Sequence, residues 1–188
     1  MDRYAYLCQF HPIPPADYAL LEAKLRPRSF RKGEFIVVPG EVQRELYFVR
    51  EGVQMSYAET DKKLHVIAFT YAPGPCALPE SFAAQQPAAY YLTCLTDSRL
   101  DALSYADLEA LLDQSPSLER LFRKMAEAML AGVIHRHVEL HAAGMEERYR
   151  AFCRRSPHLL QLVPHKYIAS YLGIDPTNFS KLFNQVKI

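Results

Sequence analysis

The sequence has no tryptophan, only four cysteines in 188 residues, and no unbroken apolar run of 18 residues. The missing apolar run excludes a membrane-spanning helix of the ordinary kind. The first ten residues carry Asp2 and Arg3 and lack the apolar core of a signal peptide, so a cytoplasmic protein with no membrane partner is expected. Cys8, Cys76, Cys94 and Cys153 are widely separated and form no Cys-x-x-Cys pair. That spacing argues against zinc and iron–sulfur sites and leaves isolated thiols. The lack of tryptophan does not limit the core: 12 Tyr, 10 Phe and a hydrophobic content of 49% suffice for one or two domains. Net charge is also small, +1, but it is unevenly placed. Residues 1–119 carry −5 and residues 120–188 carry +6, the arrangement a separate polyanion-binding module would produce.

Hydrophobic periodicity divides the chain. Residues 1–27 read as helical around the prolines Pro12, Pro14 and Pro15, with Tyr18, Leu21 and Leu25 on one face and Pro27 as the stop. From Arg28 to Tyr105 short β runs follow, at Phe35–Val38, Leu46–Val49, Val53–Tyr57, Leu64–Tyr71 and Tyr90–Leu95. Turn signals such as Lys32-Gly33, Pro39-Gly40, Glu51-Gly52 and Thr60-Asp61-Lys62 separate them. Strands at this interval predict an antiparallel barrel or jelly roll. Pro75 to Ala89 reads as a long loop, a place where rigid barrels carry function.

Helix returns at Ser104, a cap for the segment that follows, and again at Ser115 with Pro116 in the first helical position. The second of these helices runs to about Ala142. Its apolar positions Leu118, Leu121, Phe122, Met125, Met129 and Val133 recur every three or four residues, a stripe wide enough for the barrel and for a second chain. Gly144 breaks it. The expected units are therefore 1–114, a β-roll with an N-terminal helix; 115–143, a long linking and dimerisation helix; and 144–188, a helical module.

Within that module Pro164 to Leu172 forms a helix with Ile168, Ala169 and Leu172 inward. Gly173 follows where a left-handed residue must turn the chain. Asp175 is a good cap, Pro176 a good first residue, and Phe179, Leu182 and Phe183 share a face. Two helices crossing steeply through a tight turn need a small residue at the contact, a glycine in the turn and an apolar anchor beyond it. Ala169, Gly173 and Phe179 supply these at helix-turn-helix spacing. The other face of the second helix offers Thr177, Asn178, Ser180, Lys181 and Asn184 to phosphates and base edges. Lys166, Lys181 and Lys187 can neutralise phosphates. The alternative is a helical bundle with a solvated face.

The order of parts, a β-roll, a long helix and a helix-turn-helix, resembles the CRP/FNR family of bacterial regulators over nearly the whole chain. Arg31-Lys-Gly-Glu-Phe, Pro39-Gly-Glu and Glu45-Leu-Tyr-Phe-Val-Arg-Glu-Gly-Val are similar to the family's cyclic-nucleotide-binding domain. Val163-Pro-His-Lys-Tyr-Ile-Ala-Ser-Tyr-Leu-Gly-Ile and Glu80-Ser-Phe are similar to a subgroup common in Bacteroidetes. The resemblance implies an α+β fold: an antiparallel, jelly-roll-like β-roll, a dimerisation helix and a helix-turn-helix domain, here without a full β-wing before Ile188. It implies a homodimeric, non-enzymatic transcription regulator of double-stranded DNA that works with RNA polymerase. By position Pro176, Thr177 and Lys181 fall where the family reads bases, with Asn178 and Ser180 beside them. Pro176 departs from the polar residue often found there.

The ligand site departs further. Family members that bind cAMP hold the cyclic phosphate with an Arg-Ser or Arg-Thr pair, a task that suits arginine's charge and bidentate geometry. Here those positions fall on Ala88 and Ala89, with Glu80, Ser81, Phe82, Tyr90 and Val133 completing the corresponding pocket. Cyclic nucleotide is not expected to bind tightly, no cofactor is expected, and any small-molecule effector is unidentified. His11 and His65 are lone histidines. His137 and His141 have metal-compatible spacing beside His135, but no acidic or cysteine partner is evident, so a solvated helix face and no metal are expected. Two other functions compete: a ligand-sensing or scaffold module without DNA binding, and a cupin-like enzyme. The enzyme would need several strand histidines where only His65 is present.

Overall fold

The computed structural model of the chain describes residues 2–61 and 63–185. Lys62, Lys187 and Ile188, part of the turn and module readings above, lie outside the described residues. Helices α1 (Arg3–Leu7) and α2 (Pro15–Lys24) come first. The Asp2 carboxylate accepts from the Ala5 N–H at 2.7 Å to cap α1, and Pro15 opens α2. The expectation that Pro27 merely stops a helix is corrected: it lies inside strand β1 (Arg26–Phe30), opposite Asp101. β1 is an edge strand bonded on one side, to β8, and an edge is where a missing N–H is tolerated.

The strands β2 (Phe35–Val37), β3 (Glu45–Glu51), β4 (Val53–Thr60), β5 (Lys63–Tyr71), β6 (Pro75–Cys76), β7 (Tyr91–Cys94) and β8 (Ser98–Ser104) complete two antiparallel sheets. Their orders are β1-β8-β3-β6 and β2-β7-β4-β5. This is the β-roll that the alternation of short strands and turn residues predicts. Val37, Tyr47, Val49, Cys76, Leu78, Ala88, Leu92, Leu100 and Ala102 fill one of its cores. Gly52, with φ +95°, makes the tight β3–β4 reversal; a Cβ there would meet the Asp97 carbonyl oxygen at 2.6 Å.

Residues 75–89 are not the long loop expected. They contain β6 and helix α3 (Pro79–Ala84), started by Pro79 and ended by Gln85 in a left-handed conformation, φ 49°. The segment is too short and too poor in periodic apolar residues for the helix to be legible.

Helices α4 (Tyr105–Gln114) and α5 (Pro116–Ala142) follow, and the Ser104 and Ser115 hydroxyls accept from the Asp107 and Leu118 N–H groups as the capping pattern predicts. The α5 stripe divides along its length. Leu118 and Leu121 are fully buried in this subunit's core against Leu7, Leu21, Phe48, Leu103 and Leu111, with Phe122 and Met125 packed on its margin. As dimer contacts, Leu118 and Leu121 are therefore a correction, because a side chain enclosed by its own subunit has no area left for a second chain. Met129, Leu130, Val133, Ile134 and Val138 remain exposed, Val133 at 60%.

Helices α6 (Met145–Arg155), α7 (Leu159–Leu162), α8 (His165–Leu172) and α9 (Pro176–Gln185) form the C-terminal module. Its core of Tyr149, Phe152, Ile168, Leu172 and Phe179 is continuous with the roll, through Val53 of β4 and the partly buried Phe69, Tyr71 and Leu95. Among the described residues no helix is long and apolar enough to cross a membrane.

Candidate nucleic-acid interface and effector pocket

Backbone hydrogen bonds dictate the turn between α8 and α9. Gly173 has φ +60°, its N–H donates to the Ser170 carbonyl at 3.1 Å, and the Ile174 N–H donates to the Ala169 carbonyl at 2.9 Å. This pair of reversed bonds closes the helix and needs a residue without a left-handed penalty at 173. Asp175 then starts α9: its Oδ1 accepts from the N–H of Thr177 at 2.8 Å and from that of Asn178 at 3.4 Å. Phe179 is 1% exposed and meets Tyr149 edge-on, ring centres 5.6 Å apart. Burial pushes the Tyr149 hydroxyl up to about 12, and it raises the neighbouring Cys153 thiol, so this thiol behaves as a small apolar filler.

The sequence-derived contact residues sort cleanly. Pro176, Thr177, Ser180 and Lys181 are exposed on α9 and Asn178 is half-buried. The fold brings these five together in the first turns of one helix, whose Thr177 and Asn178 N–H groups are already taken by the Asp175 carboxylate. Lys166 is exposed at the start of α8, with its ammonium 4.9 Å from the Tyr167 ring centre. Phe183 does not join Phe179 inside. It is 39% exposed and lies tilted against His165, ring centres 4.2 Å apart.

The basic charge of the C-terminal part is less available than its sum implies. Arg123 and Lys124 pair with Glu127, Arg136 with Glu139, and Arg150 with Glu146. Two arginines clamp the turn itself. Arg136 donates to the Tyr171 carbonyl oxygen and lies 4.1 Å from the Tyr171 ring centre. Arg148 donates to the carbonyls of Ala143 at 2.7 Å and Gly173 at 3.2 Å. Cations at a helix C-terminus complement its exposed carbonyls. Ser170 ties α8 to the roll: it accepts from the Val66 N–H and donates to the Leu64 carbonyl, both at 3.0 Å, along the edge of β5. The Tyr71 and Ser156 hydroxyls bond at 2.7 Å. Sequence reasoning missed these positioning residues. A serine beside an inward alanine and two arginines in a basic stretch carry no local signal of their distant partners.

In the effector pocket the fold brings Glu80, Ser81 and Phe82 together on α3, with Glu80 exposed and the others buried. Ser81 is committed to the scaffold, accepting from the Gln43 N–H at 3.0 Å and donating to the Gln86 carbonyl at 2.7 Å. Gln43, missed in the sequence, is 2% exposed and bridges further, accepting from the Leu78 N–H and donating to the Glu45 carbonyl, both at 2.7 Å. Phe82 packs into the core that holds Leu118 and Leu121. Ala88 is buried in the roll, and its N–H donates to the Glu41 carbonyl at 2.8 Å. Ala89 is exposed and Tyr90 half-buried. Val133 stands on the exposed face of α5 and belongs to none of these buried clusters, so within one subunit the fold does not add it to the pocket.

Residues 27–115 match the model of the cyclic nucleotide-binding domain. Similar solved structures cover the helical module as well. The catabolite activator protein of Thermus thermophilus is 18% identical, with 93% of this chain and 84% of that one aligned and a TM-score of 0.60. FixK2 of Bradyrhizobium japonicum is 19% identical, with 86% and 83% aligned and a TM-score of 0.74. A structure described as a CRP/FNR-family transcriptional regulator from Eubacterium rectale is 14% identical, with 94% and 86% aligned and a TM-score of 0.70. No curated protein sequence matches the chain. Residues 27–115 are thus similar to a cyclic nucleotide-binding domain. The solved structures named above include a transcriptional regulator of the CRP/FNR family, and the α+β fold of this chain is similar to theirs.

Proposed function

We propose that the chain is a sequence-specific, DNA-binding transcription regulator that acts as a cytoplasmic homodimer and is not an enzyme. The observation that carries this reading is the α8–α9 unit: a helix-turn-helix turn closed at Gly173 that leaves Pro176, Thr177, Ser180 and Lys181 exposed together. In this reading Thr177 and Lys181 meet base edges, and Asn178, Ser180 and Lys166 meet phosphates. Residues 1–114, 115–143 and 144–188 serve as effector-type, linking and DNA-binding parts, and RNA polymerase is the further partner. Met129, Val133 and their exposed neighbours on α5 supply the self-association face. In filter binding at two salt concentrations, Lys181→Ala is expected to lose sequence-specific binding and to flatten the salt slope by about one unit. An unchanged slope and site preference would remove Lys181 from the interface.

The effector domain, in this proposal, does not take cAMP or cGMP in the family's manner. Ala88 and Ala89 offer no guanidinium, and Ser81 is already bonded on both sides. A phosphate there would lose its water without a compensating charge. Calorimetry is expected to detect no cAMP binding in the low-micromolar range, and a dissociation constant in that range refutes the proposal. A small-molecule effector of other chemistry remains part of the reading. The engagement of Arg123, Lys124, Arg136 and Arg150 by glutamates favours one second reading, a scaffold without DNA binding. A genomic binding-site selection that returns no specific site decides for it.

A further inference from the structure

The exposed face of α5 holds two imidazoles that the proposed function does not use. His137 and His141 are four residues apart on one helix, with ring centres 4.5 Å apart and rings tilted by 57°. Both are exposed, and among the described residues neither makes a hydrogen bond to another side chain or to the backbone. Their spacing sets them about 40° apart around the helix and one turn apart along it. One nitrogen of each can then reach a common ion at about 2.0–2.1 Å after a small side-chain rotation. Within one chain the coordination stops at two: among the described residues no group of three or more His, Cys, Asp or Glu side chains is gathered for a metal.

The position of the pair on the helix suggests where the remaining ligands come from. Leu130, Ile134, His137 and His141 are spaced by four, three and four residues, the alternation of a two-helix seam. Leu130 and Ile134 are 61% and 56% exposed, so this seam is uncovered in one subunit. The competing seam would use Leu140 in place of His141, but Leu140 is turned toward Gly173, 3.4 Å from where a Cβ would stand. A two-fold axis parallel to two paired α5 helices brings each seam residue against its own copy. Four imidazoles would then meet at one end of an apolar seam. Left unpaired, their nitrogens would be desolvated without partners, a costly arrangement. A borderline dication satisfies them, and imidazole is a ligand such metals favour. Nor is the adjacent cation free to oppose it: the Arg136 guanidinium is held by Glu139 and the Tyr171 carbonyl.

We propose that His137 and His141 are half of a metal site that a second copy of the chain completes, so that one Zn2+ bound by four imidazoles locks the paired α5 helices. This inference rests on the homodimer reading above and adds a ligand to it. The test titrates the full chain with Zn2+ alone by calorimetry and follows self-association by sedimentation, with EDTA as the metal-free arm. The expected result is one Zn2+ per two chains and at least a tenfold lower dimer dissociation constant with Zn2+. Both effects should vanish in His137→Ala and in His141→Ala and persist in His135→Ala, whose imidazole lies on another side of the helix. A chain that dimerises equally in EDTA and binds no Zn2+, or binds one per chain, overturns the metal site and leaves the dimer standing. A chain that stays monomeric with and without Zn2+ overturns both.

Discussion

Replacing Phe179 by alanine is expected to cost about 3–5 kcal/mol and to melt the C-terminal module while the β-roll stays folded. The size follows from the site. Phe179 is 1% exposed, and it is the residue of α9 that is fully enclosed by the module core, against Tyr149 and under His165, 5.5 Å away. Leu182 adds only partial burial and Phe183 is largely outside. The cavity left by a truncated ring has no neighbour on α9 able to fill it. The roll core around Phe48 and the one around Leu92 contain no residue of α8 or α9, so they should survive. Circular dichroism is expected to show a separate, early loss of helix. Limited proteolysis should cut beyond Gly144 and spare residues 1–142, and DNA binding should disappear. Unfolding in one step at the wild-type midpoint would show that Phe179 is not the anchor.

The second large effect is expected from Leu130→Glu combined with Ile134→Glu. Two carboxylates per chain would face their own copies across the proposed seam, where burial and like charge both oppose association. The variant should sediment as a monomer, and its affinity for a two-half-site operator should fall by about 100-fold or more, the gain normally supplied by linked binding. Thermal stability of the subunit should change little, because both side chains are exposed in the free subunit. Leu118→Ala is the informative contrast. Its site is enclosed by the subunit's own core, so it should cost about 2–5 kcal/mol of folding stability and leave association unaffected when the chain is folded. An Ile134→Glu, Leu130→Glu chain that remains dimeric would move the interface off this face.

Both predictions depend on distinctions among side chains of the same type. Phe179 and Phe183 are each apolar and four residues apart on a helix, yet one is a core anchor and the other a surface ring. Leu118 and Met129 belong to one apolar stripe, yet α4 and the roll cover only the first. Similarly, the alanines at 88 and 89 state what the effector pocket lacks, while only the Gln43–Ser81–Gln86 bonds reveal that the Ser81 hydroxyl is already satisfied. The cationic tail reads as polyanion-binding in sum, and several of its charges turn out to be tied to glutamates one helical turn away.

What local chemistry determines was legible from the residues alone. A left-handed residue at Gly173, caps at Ser104, Ser115 and Asp175, proline at the first turn of α5 and α9, and short branched and aromatic runs set off by turn residues each act over a few bonds. Together they specify the order of roll, long helix and helix-turn-helix. The tertiary structure alone decided matters that depend on partners far along the chain. Pro27 lies in a strand because β8 offers it an edge. Ser170 bonds β5 across more than a hundred residues, and Arg136 and Arg148 satisfy the carbonyls at the end of α8. The α5 stripe is divided because its first turns are already covered by the subunit's own core. Such contacts require the chain to be folded before the partners meet, and no spacing in the sequence encodes them.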